Sequence, residues 1–446
     1  MNITLPPYAQ TVITLLESAG FCAVAVGGCV RDSLLGREPL DWDIATSARP
    51  EEVMLALHGL RVLTTGLRHG TVTALVEGDA VEVTSFRLEG AYSDHRRPDS
   101  VAFTADLHAD LNRRDFTVNA MAWHPVRGLC DPFGGAQDLA EKRLRCVGLP
   151  EQRLEEDALR ILRALRFCAV LGFSMEEATA QAVLRHREQL RFVAAERLRV
   201  ELLKLLCGDD ARRVLRDFRR VIFVLLPQLQ PMEDFAQHNP WHCYDVWQHT
   251  CAAVEAAPPA PALRLAALLH DCGKPECFCL DADGVGHFHG HAAASERMAR
   301  GILTQLRCSR RFTEQVAQLV RLHELRLSET PPGQKRTARL RRLLGELGET
   351  TLLELIWLAK ADAAAQAPQG LWRLEDCDAL AAEVRTLAAE GTCVTRKQLA
   401  VNGNDLAALG LQGPALGKAL QGLLEDVLEG RAPNERAALL ARVAGV

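Results

Sequence analysis

The spacing of apolar residues changes character near residue 145. Before that point, short apolar or alternating runs such as FCAVAVGG, GTVTALV and DAVEVTSF predict β-strands, and VITLLESAG predicts a helix that ends at Gly20. From about residue 150 the apolar period becomes helical, as in LEEDALRILRALRFCAVLGF and AAERLRVELLKLL. The pattern therefore predicts an α+β fold, with a mixed sheet and helices first and an all-α remainder.

Length and composition indicate a soluble protein of two to four domains. The chain has 446 residues, 48% of them hydrophobic and 24% charged, and no apolar run approaches the roughly 20 residues that cross a bilayer. The N-terminus MNITLPPYAQ lacks the pattern of a secretory signal. The fourteen cysteines are scattered, which is typical of reduced thiols. We therefore expect a cytoplasmic protein with no membrane association.

Basic residues cluster although the formal net charge is −5. Fourteen arginines crowd the stretch from Arg113 to Arg199, and a second run, QKRTARLRR, occupies residues 334–342. Such runs are typical either of solvated helix faces or of a surface that binds nucleic acid. The sequence alone leaves both interpretations open.

Two aspartates stand two positions apart in the stretch DWDIAT. In a β-strand the side chains alternate between faces, so Asp41 and Asp43 would project from one face about 7 Å apart. Paired carboxylates suit Mg²⁺, which prefers oxygen ligands and completes its shell with water and phosphate oxygens. Glu82, in VEVTSF, is a third possible carboxylate. The alternative is that the two aspartates are surface residues on either side of a buried Trp42.

A glycine pair follows the first predicted strand. Gly27 and Gly28 would let backbone N–H groups approach the phosphates of a ligand closely. Arg31 follows three residues after Gly28, where its guanidinium would add a cation suited to a triphosphate. The sequence thus predicts phosphate donors first and metal-binding carboxylates ten residues after the arginine.

Five motifs in order resemble those of the class II tRNA nucleotidyltransferases. This family comprises the CCA-adding enzymes and the bacterial poly(A) polymerases of the polymerase-β superfamily. The motifs are VGGCVRDSLLGREPLDWDIAT (26–46), LNRRDFTVNAMAW (111–123), DPFGGAQDL (131–139), EEDALRILRALRF (155–167) and AAERLRVELLKLL (194–206). The resemblance implies a polymerase-β-like nucleotidyltransferase head followed by an all-α neck.

The resemblance also implies a role for individual residues of the head. Gly28 and Arg31 would hold the incoming triphosphate, and Asp41 and Asp43 would be catalytic and hold Mg²⁺. Arg114 would contact ribose or phosphate, with Asp115 supporting its loop and Asn119 facing the sugar. Asp157 and Arg160 would read the base of CTP or ATP, with Arg163 and Arg166 in supporting roles in nucleotide binding.

The base-reading pair has its own expected geometry. Asp157 and Arg160 are three positions apart in a predicted helix, so they would be neighbours on one face and could present acceptors and donors in one plane. On that helix Arg166 would lie roughly opposite Asp157. The alternative for an aspartate and an arginine at this spacing is an ordinary surface salt bridge.

A histidine-rich segment between residues 238 and 323 predicts a second metal site. The order of His249, the dipeptide His270-Asp271 and then Asp362 resembles the HD phosphohydrolase domain, whose metal these four would bind. His291 and His323 fit its possible second-site or phosphate-contact positions. The resemblance implies hydrolysis of phosphoesters, with 2′,3′-cyclic phosphates or 2′-nucleotides as candidate substrates.

The ligand types leave the metal of this second site open. Mg²⁺, Mn²⁺ and Ni²⁺ all accept imidazole together with carboxylate. A zinc site built from Cys272, Cys277 and Cys279 is a weaker alternative, because CFC lacks the usual two-residue gap.

We predict four parts: a catalytic head (1–145), a helical neck that selects the nucleotide and binds RNA (146–235), an HD-like domain (236–374) and a helical tail that binds tRNA (375–446). The expected function is addition of CCA to tRNA 3′ ends from CTP and ATP. The loop 88–103 would help the switch from CTP to ATP. The alternatives are a bacterial poly(A) polymerase, a partial CC- or A-adding enzyme, and an HD hydrolase whose N-terminal half only binds RNA.

Overall fold

A computed structural model describes residues 3–67, 70–90, 101–325, 327 and 330–444. The chain divides into two compact units, Met1–Pro227 and Gln228–Val446, which we call the first and the second unit. The finer division into four parts remains a prediction.

The first unit contains a seven-stranded mixed sheet in the order β3-β4-β5-β2-β1-β8-β9. In this sheet β2 and β5 pair in parallel, and the other neighbours are antiparallel. The sheet with its helices confirms the predicted α+β class. Its strands are β1 (Ala23–Val26), β2 (Asp43–Thr46), β3 (Arg61–Leu63), β4 (Thr71–Val76), β5 (Asp79–Ser85), β8 (Ala122–His124) and β9 (Gly128–Cys130).

Helices and two short strand pairs complete the first unit. The strand pairs are β6 (Arg87–Glu89) with β7 (Val101–Phe103), and β10 (Arg143–Leu144) with β11 (Ser174–Met175). The helices are α1 (Pro7–Ser18), α2 (Gly28–Leu34), α3 (Pro50–Ala56), α4 (Leu107–Asn112), α5 (Gly135–Ala140), α6 (Pro150–Glu156), α7 (Leu159–Leu171), α8 (Glu177–His186), α9 (Ala195–Leu206), α10 (Ala211–Asp217) and α11 (Arg219–Leu225).

The centre of the sheet positions the two aspartates. Strand β2 begins at Asp43, so Asp41 lies just before the strand and not within it as the alternation predicted. The alternation itself is kept, because Trp42 is buried between the exposed Asp41 and the half-buried Asp43. On the neighbouring strand Glu82 pairs in register with Asp43. The carboxylates of Asp41, Asp43 and Glu82 therefore lie near one another where strand β2 begins.

The predicted single helix across residues 155–167 is wrong. Helix α6 ends at Glu156 and α7 begins at Leu159, and Asp157 has extended backbone angles (φ −141°, ψ 104°) between them. The carboxylate of Asp157 accepts a hydrogen bond of 3.1 Å from the backbone N–H of Leu159. Aspartate competes for backbone donors in this way, which favours helix ends over helix interiors.

The second unit is built from helices with one short hairpin. The hairpin pairs β12 (Cys279–Leu280) with β13 (Gly286–His287). The long helix α16 is kinked at Gly348, where φ is +77°. The helices are α12 (Val246–Ala256), α13 (Pro261–Leu269), α14 (His291–Gln305), α15 (Arg310–Leu322), α16 (Gln334–Ala364), α17 (Trp372–Ala389), α18 (Gly403–Ala408), α19 (Gly413–Leu428) and α20 (Arg436–Ala444).

The basic run 334–342 makes contacts inside the second unit. Arg336 is buried and forms a 2.7 Å ion pair with Asp376. Arg342 pairs with Glu425 at 2.6 Å, and the side chains of Arg339 and Arg341 donate to backbone carbonyl groups. These four arginines therefore serve packing between helices, which is a third use beside the solvated face and the RNA surface.

Three further expectations meet the structure in different ways. Within the described ranges, no helix is both long and apolar enough to cross a membrane. All fourteen cysteines are free thiols. The predicted switching loop 88–103 lies partly outside the described residues, since positions 91–100 are not among them.

Candidate functional sites

A cavity of about 820 Å³ in the first unit gathers the predicted head residues, and we call it the head cavity. It is lined by residues from the sheet, from α2 and from the helices around Asp157. The predicted residues that line it are Gly27, Gly28, Arg31, Asp41, Asp43, Glu82, Arg114, Asp115, Asn119, Asp157, Arg160, Arg163 and Arg166. Residues as far apart in sequence as Val26 and Arg197 thus share one concave surface.

The carboxylates of the head cavity repel one another. Burial and the nearby charges of Asp41 and Glu82 raise the pKa of Asp43 to about 6. A carboxylate that resists ionisation because of neighbouring carboxylates is stabilised by a cation held between them. The oxygen-only donor set fits Mg²⁺.

A ring of nitrogen donors lies beside these carboxylates. Gly27 has φ +77°, and a Cβ there would come within 3.0 Å of the Arg114 Nη1 atom, so glycine allows the arginine to approach the backbone. Arg31 donates to Asn119 Oδ1 at 2.7 Å and binds both oxygens of Asp32 at 2.8 and 2.9 Å. The guanidinium of Arg31 is therefore oriented by contacts within the protein.

Asp115 fixes two of the side chains beside these donors, Arg163 and Asn119, by accepting hydrogen bonds from them. Burial disfavours its charge, yet the adjacent guanidinium of Arg163 and the side chain of Asn119 hold the pKa of Asp115 well below its usual range. Its carboxylate accepts from Arg163 at 2.6 Å and from Asn119 at 3.1 Å. The predicted supporting position of Asp115 in its loop thus has a direct geometric basis.

Asp157 and Arg160 do not face each other as the helical spacing predicted. Arg160 is buried and donates to Glu156 at 2.5 Å and to the carbonyl oxygens of Arg153 and Arg113 at 2.9 and 3.0 Å. Asp157 instead pairs with Arg197 of α9 at 2.8 Å. Sequence reasoning missed Arg197 as a site residue, although it stands in the fifth motif, AAERLRVELLKLL.

Phe167 is a second missed residue of the head cavity. The guanidinium carbons of Arg31, Arg163 and Arg166 lie 5.2, 5.5 and 3.9 Å from the centre of its ring. These distances are typical of cation–π contacts. Burial lowers the pKa of Arg166 to about 10, and Glu201 pairs with its guanidinium at 2.7 Å. Arg166 therefore faces the same cavity as Asp157, contrary to the predicted opposite placement.

A cavity of about 530 Å³ in the second unit is lined by the predicted ligands Asp271, His291, His323 and Asp362, and we call it the histidine cavity. His249 and His270 do not line it and lie beside Asp362 and Asp271. Two groups of side chains there have ligand atoms within 4.8 Å of one another: His249, His270, Asp271 and Asp362, and then Asp271, His291 and His323. All six ligands come from different points of the predicted histidine-rich half. The helical fold brings them together as the spacing indicated.

The first group surrounds one point. His249 Nε2 lies 2.9 Å from an oxygen of Asp362 and 3.4 Å from Asp271 Oδ2. His270 Nε2 lies 3.2 Å from the same Asp271 oxygen and 3.7 Å from Asp362. Although burial opposes a charge on His270, the two carboxylates raise the pKa of its imidazole to about 10. A proton on His270 thus balances the charge that a metal ion would balance.

The second group uses the other oxygen of Asp271. His291 Nε2 and His323 Nε2 lie 3.3 and 3.7 Å from Asp271 Oδ1. These two nitrogen atoms are 3.1 Å from each other. Burial and the neighbouring His270 lower the pKa of His323 to about 3, so its imidazole is neutral. One carboxylate therefore faces both groups and could bridge two ions.

Each of the four imidazoles is oriented from behind by a carbonyl oxygen. The Nδ1 atoms of His270, His291 and His323 lie 2.8, 2.8 and 2.7 Å from the carbonyl oxygens of residues three positions earlier. His249 Nδ1 lies 3.1 Å from the carbonyl of Ala365. With Nδ1 directed at a carbonyl oxygen, Nε2 is the atom left to bind a metal ion, and all four Nε2 atoms point toward the carboxylates. This is the arrangement by which proteins orient metal-binding histidines.

Lys274 is a missed residue of the histidine cavity. It is buried and its Nζ atom donates to Asp271 Oδ2 at 2.7 Å and to Gln237 Oε1 at 2.8 Å. It stands in the stretch HDCGK, three residues after Asp271. Cys272, Cys277 and Cys279 belong to neither ligand group in the described part of the chain, so the geometry favours the histidine site over the cysteine alternative.

Three family models match parts of the chain. The "Poly A polymerase head domain" matches residues 23–145, and the "Probable RNA and SrmB- binding site of polymerase A" matches residues 172–232. The "tRNA nucleotidyltransferase domain 2" matches residues 288–443. The head match includes Asp41, Asp43 and Glu82 and four of the eight arginines that line the head cavity.

Curated relatives and a solved structure extend the likeness over the whole chain. A CCA-adding enzyme of Levilactobacillus brevis is 36% identical over 445 residues, covering 98% of this chain and 96% of the relative. A CCA-adding enzyme of Lactobacillus delbrueckii subsp. bulgaricus is 48% identical over 210 residues. The aligned region covers 47% of this chain and only 52% of the length of that relative. The crystal structure of Bacillus stearothermophilus CCA-adding enzyme in complex with CTP is 28% identical, with a TM-score of 0.72 over 99% of this chain and 98% of the other.

Proposed function

The chain belongs to the family of CCA-adding enzymes, which are tRNA nucleotidyltransferases, and from this we propose that it adds C, C and A to tRNA 3′ ends from CTP and ATP with release of pyrophosphate. The observation that carries the proposal is the head cavity, where paired carboxylates stand beside a ring of arginines. This combination suits the transfer of a nucleotidyl group, in which a metal and cations stabilise phosphate charge.

Each side chain of the head cavity has a role in this chemistry. Asp41 and Asp43 would hold Mg²⁺, which when bound lowers the pKa of the attacking 3′-hydroxyl and neutralises charge on the phosphates. Gly28 lets the triphosphate approach the backbone, and Arg31 and Arg114 donate to its oxygens. Because Arg31 is already fixed by Asn119 and Asp32, little side-chain order is lost when the nucleotide binds.

Nucleotide choice belongs to a different part of the head cavity. Asp157 offers acceptor oxygens and Arg160 offers donors, the two kinds of group that a base edge requires. Arg163 and Arg166 support them through Asp115 and Phe167. Arg160 donates a hydrogen bond to Glu156. To bind a base, its guanidinium must either break this hydrogen bond or use its other N–H groups.

The poly(A) polymerase alternative has less support than CCA addition. The relatives that align with nearly the whole chain are CCA-adding enzymes, and the second unit matches a tRNA nucleotidyltransferase domain. We propose tRNA, CTP and ATP as partners, residues 375–446 as part of the tRNA-binding surface, and the cytoplasm, where these substrates occur, as the location.

The test uses three tRNA transcripts that end before CC, before A, and after CCA. With CTP and ATP supplied separately and together, we expect C, C and A to be added and elongation then to stop. A long A tail would favour poly(A) synthesis. Arrest after CC, or addition of A alone, would identify a partial enzyme, and no product on any transcript would refute nucleotidyl transfer.

A second candidate function, metal-dependent hydrolysis of phosphoesters, is favoured by the histidine cavity. Four histidine Nε2 atoms and two carboxylates converge in two groups at this cavity, and this donor set suits one or two divalent ions. We propose that His249, His270, Asp271 and Asp362 hold one ion and that His291 and His323 hold a second with Asp271. Lys274 is placed to bind a phosphate oxygen.

Two substitutions separate the proposed functions. We expect Asp43→Asn to reduce nucleotide incorporation at least about 100-fold, since it removes a metal-binding charge, and to leave hydrolysis of 2′,3′-cyclic AMP unchanged. Asp271→Asn should do the reverse.

The matched controls are Asp79→Asn in the first unit and Asp283→Asn in the second, both exposed carboxylates outside the cavities. Far-ultraviolet circular dichroism would confirm folding. Loss of both activities in either folded site variant would contradict the assignment of separate sites.

A further inference from the structure

The mouth of the histidine cavity carries an aromatic side chain that the ligand groups do not use. Trp241 lines the cavity, yet 43% of its surface is exposed. Its backbone is fixed on both sides: its N–H donates to Asn239 Oδ1 at 3.0 Å, and its carbonyl oxygen accepts from the N–H of Ala367 at 2.9 Å. A large apolar ring is thus held open to solvent by polar contacts of its backbone.

Arg373 lies against this ring. Its guanidinium carbon is 5.6 Å from the centre of the Trp241 ring and 5.7 Å from that of Trp372. Of the two tryptophans, Trp241 lines the cavity and Trp372 does not. A guanidinium over the ring of an indole makes a cation–π contact, which helps to fix the orientation of the ring.

Hydrogen bonds connect this pair to the metal ligands. Arg373 Nη1 donates to Gln366 Oε1 at 3.1 Å, and Gln366 Nε2 donates to Asp362 Oδ2 at 2.9 Å. Gln366 therefore joins a proposed metal ligand at the floor of the cavity to the arginine at its mouth. A ligand with its phosphate at the ligand groups would extend toward Trp241.

The size and chemistry of the cavity fit one class of ligand. A volume of about 530 Å³ lies in the range of small-molecule pockets. The metal ligands and Lys274 suit the phosphoester of a ligand. An exposed aromatic side chain suits a planar base, which stacks on it. A nucleotide carries a phosphoester and a base on one sugar, whereas a sugar phosphate carries the phosphoester without a base.

We propose that Trp241 and Arg373 form a base platform that makes the histidine cavity selective for nucleoside phosphoesters over phosphoesters without a base. Trp241 supplies the stacking surface, and Arg373 positions it. This inference rests on the proposed hydrolytic function of the same cavity. It assigns the selectivity to two residues that bind no metal.

The test compares adenosine 2′-phosphate with ribose 2-phosphate in the full-length protein loaded with Mn²⁺. We expect Trp241→Ala to raise KM for the nucleotide about 10-fold, which corresponds to about 1.4 kcal/mol of base stacking. Its kcat, and both constants for ribose 2-phosphate, should stay unchanged. Trp241→Phe should restore most of the lost affinity.

The control is Trp372→Ala, which removes the other tryptophan that contacts Arg373 without altering the lining of the cavity. It should leave both KM values unchanged. Equal KM values for the two substrates in the unaltered protein, or an equal rise in both after Trp241→Ala, would overturn the base platform.

A failure of hydrolysis itself has a separate signature. If the unaltered protein cleaves neither substrate, the proposed hydrolytic function is wrong, and calorimetric titration of the Mn²⁺-loaded protein with the same two compounds tests the platform. Tighter binding of adenosine 2′-phosphate that Trp241→Ala removes would support it. Equal binding, or no binding, would overturn it.

Discussion

Asp157 lies between α6 and α7, and its carboxylate forms an ion pair with Arg197 of α9. It accepts from Arg197 at 2.8 Å and from the backbone N–H of Leu159 at 3.1 Å. Both contacts fix the direction of its oxygens in the head cavity. We infer that Arg197 acts through Asp157 and is a positioning residue for nucleotide choice.

We expect Arg197→Met to raise KM for CTP and ATP about 10-fold, because loss of a hydrogen bond to a charged group costs about 1.5 kcal/mol or more. Misincorporation of UTP should increase, since a carboxylate that turns freely distinguishes bases poorly. Steady-state kinetics with CTP, ATP and UTP on a tRNA lacking CCA measures both effects. The control is Arg191→Met, whose guanidinium pairs with Glu188 at the surface; unchanged constants for Arg197→Met would refute the positioning role.

The types of residue in both cavities were predictable, and their pairing was not. Motif spacing identified Asp43, Arg31 and the histidines because metal and phosphate chemistry restricts the choice of residue. The pairing of Asp157 with Arg197 depends on where α6 ends and on how α9 packs. Such contacts between distant segments leave no periodic signal in the sequence.

At the scale of elements, helix ends carry the second site. His270 and His323 follow the last residues of α13 and α15, and His291 begins α14. The helical apolar period predicted an all-α region here, because a buried helix face repeats every three to four residues. The break at Asp157 and the kink at Gly348 were not predicted, since each depends on a single backbone conformation.

The approach of α14 to the segment after Asp271 depends on a glycine. A Cβ on Gly273 would lie 2.6 Å from the backbone N of Ser295 and 2.8 Å from the carbonyl oxygen of His291. We expect Gly273→Ala to push α14 away, to weaken Mn²⁺ binding at least about 10-fold and to destabilise the protein by about 1–3 kcal/mol, as overpacking does.

Gly301, within α14, offers a matched substitution, because a Cβ there meets nothing within 4 Å. Gly301→Ala should stabilise the protein by up to about 1 kcal/mol, the helix propensity difference, with Mn²⁺ binding unchanged. Calorimetric titration with Mn²⁺ and thermal melting measure both variants. Equal behaviour of the two alanine variants would show that close packing at Gly273 is unimportant.

At the scale of the whole molecule, each compact unit contains a cavity with its own ligand chemistry. A ligand that binds only the folded state stabilises it by about 2.7 kcal/mol at 100 times its Kd. For units of this size that corresponds to a rise in melting temperature of about 5–10 °C. We expect CTP with Mg²⁺ to raise the transition of the first unit and Mn²⁺ to raise that of the second.

Scanning calorimetry of the full chain, with the site variants used to assign the transitions, checks this expectation. Asp271→Asn should remove the response to Mn²⁺ and keep the response to CTP. Asp43→Asn should keep the Mn²⁺ response of the second unit. A Mn²⁺ shift that persists at full size in Asp271→Asn protein would place the ion elsewhere.

The carbonyl groups behind the histidines set a rule for how this chain can vary. His270, His291 and His323 each take their orientation from a carbonyl three residues earlier, so the direction of each ring is encoded within one turn of chain. Insertions in the intervening loops leave that turn intact. A single residue inserted within the turn would rotate the ring by about 100° and point its donor away from the site. The loops can therefore change in length, whereas the three-residue spacing between each histidine and its carbonyl group cannot.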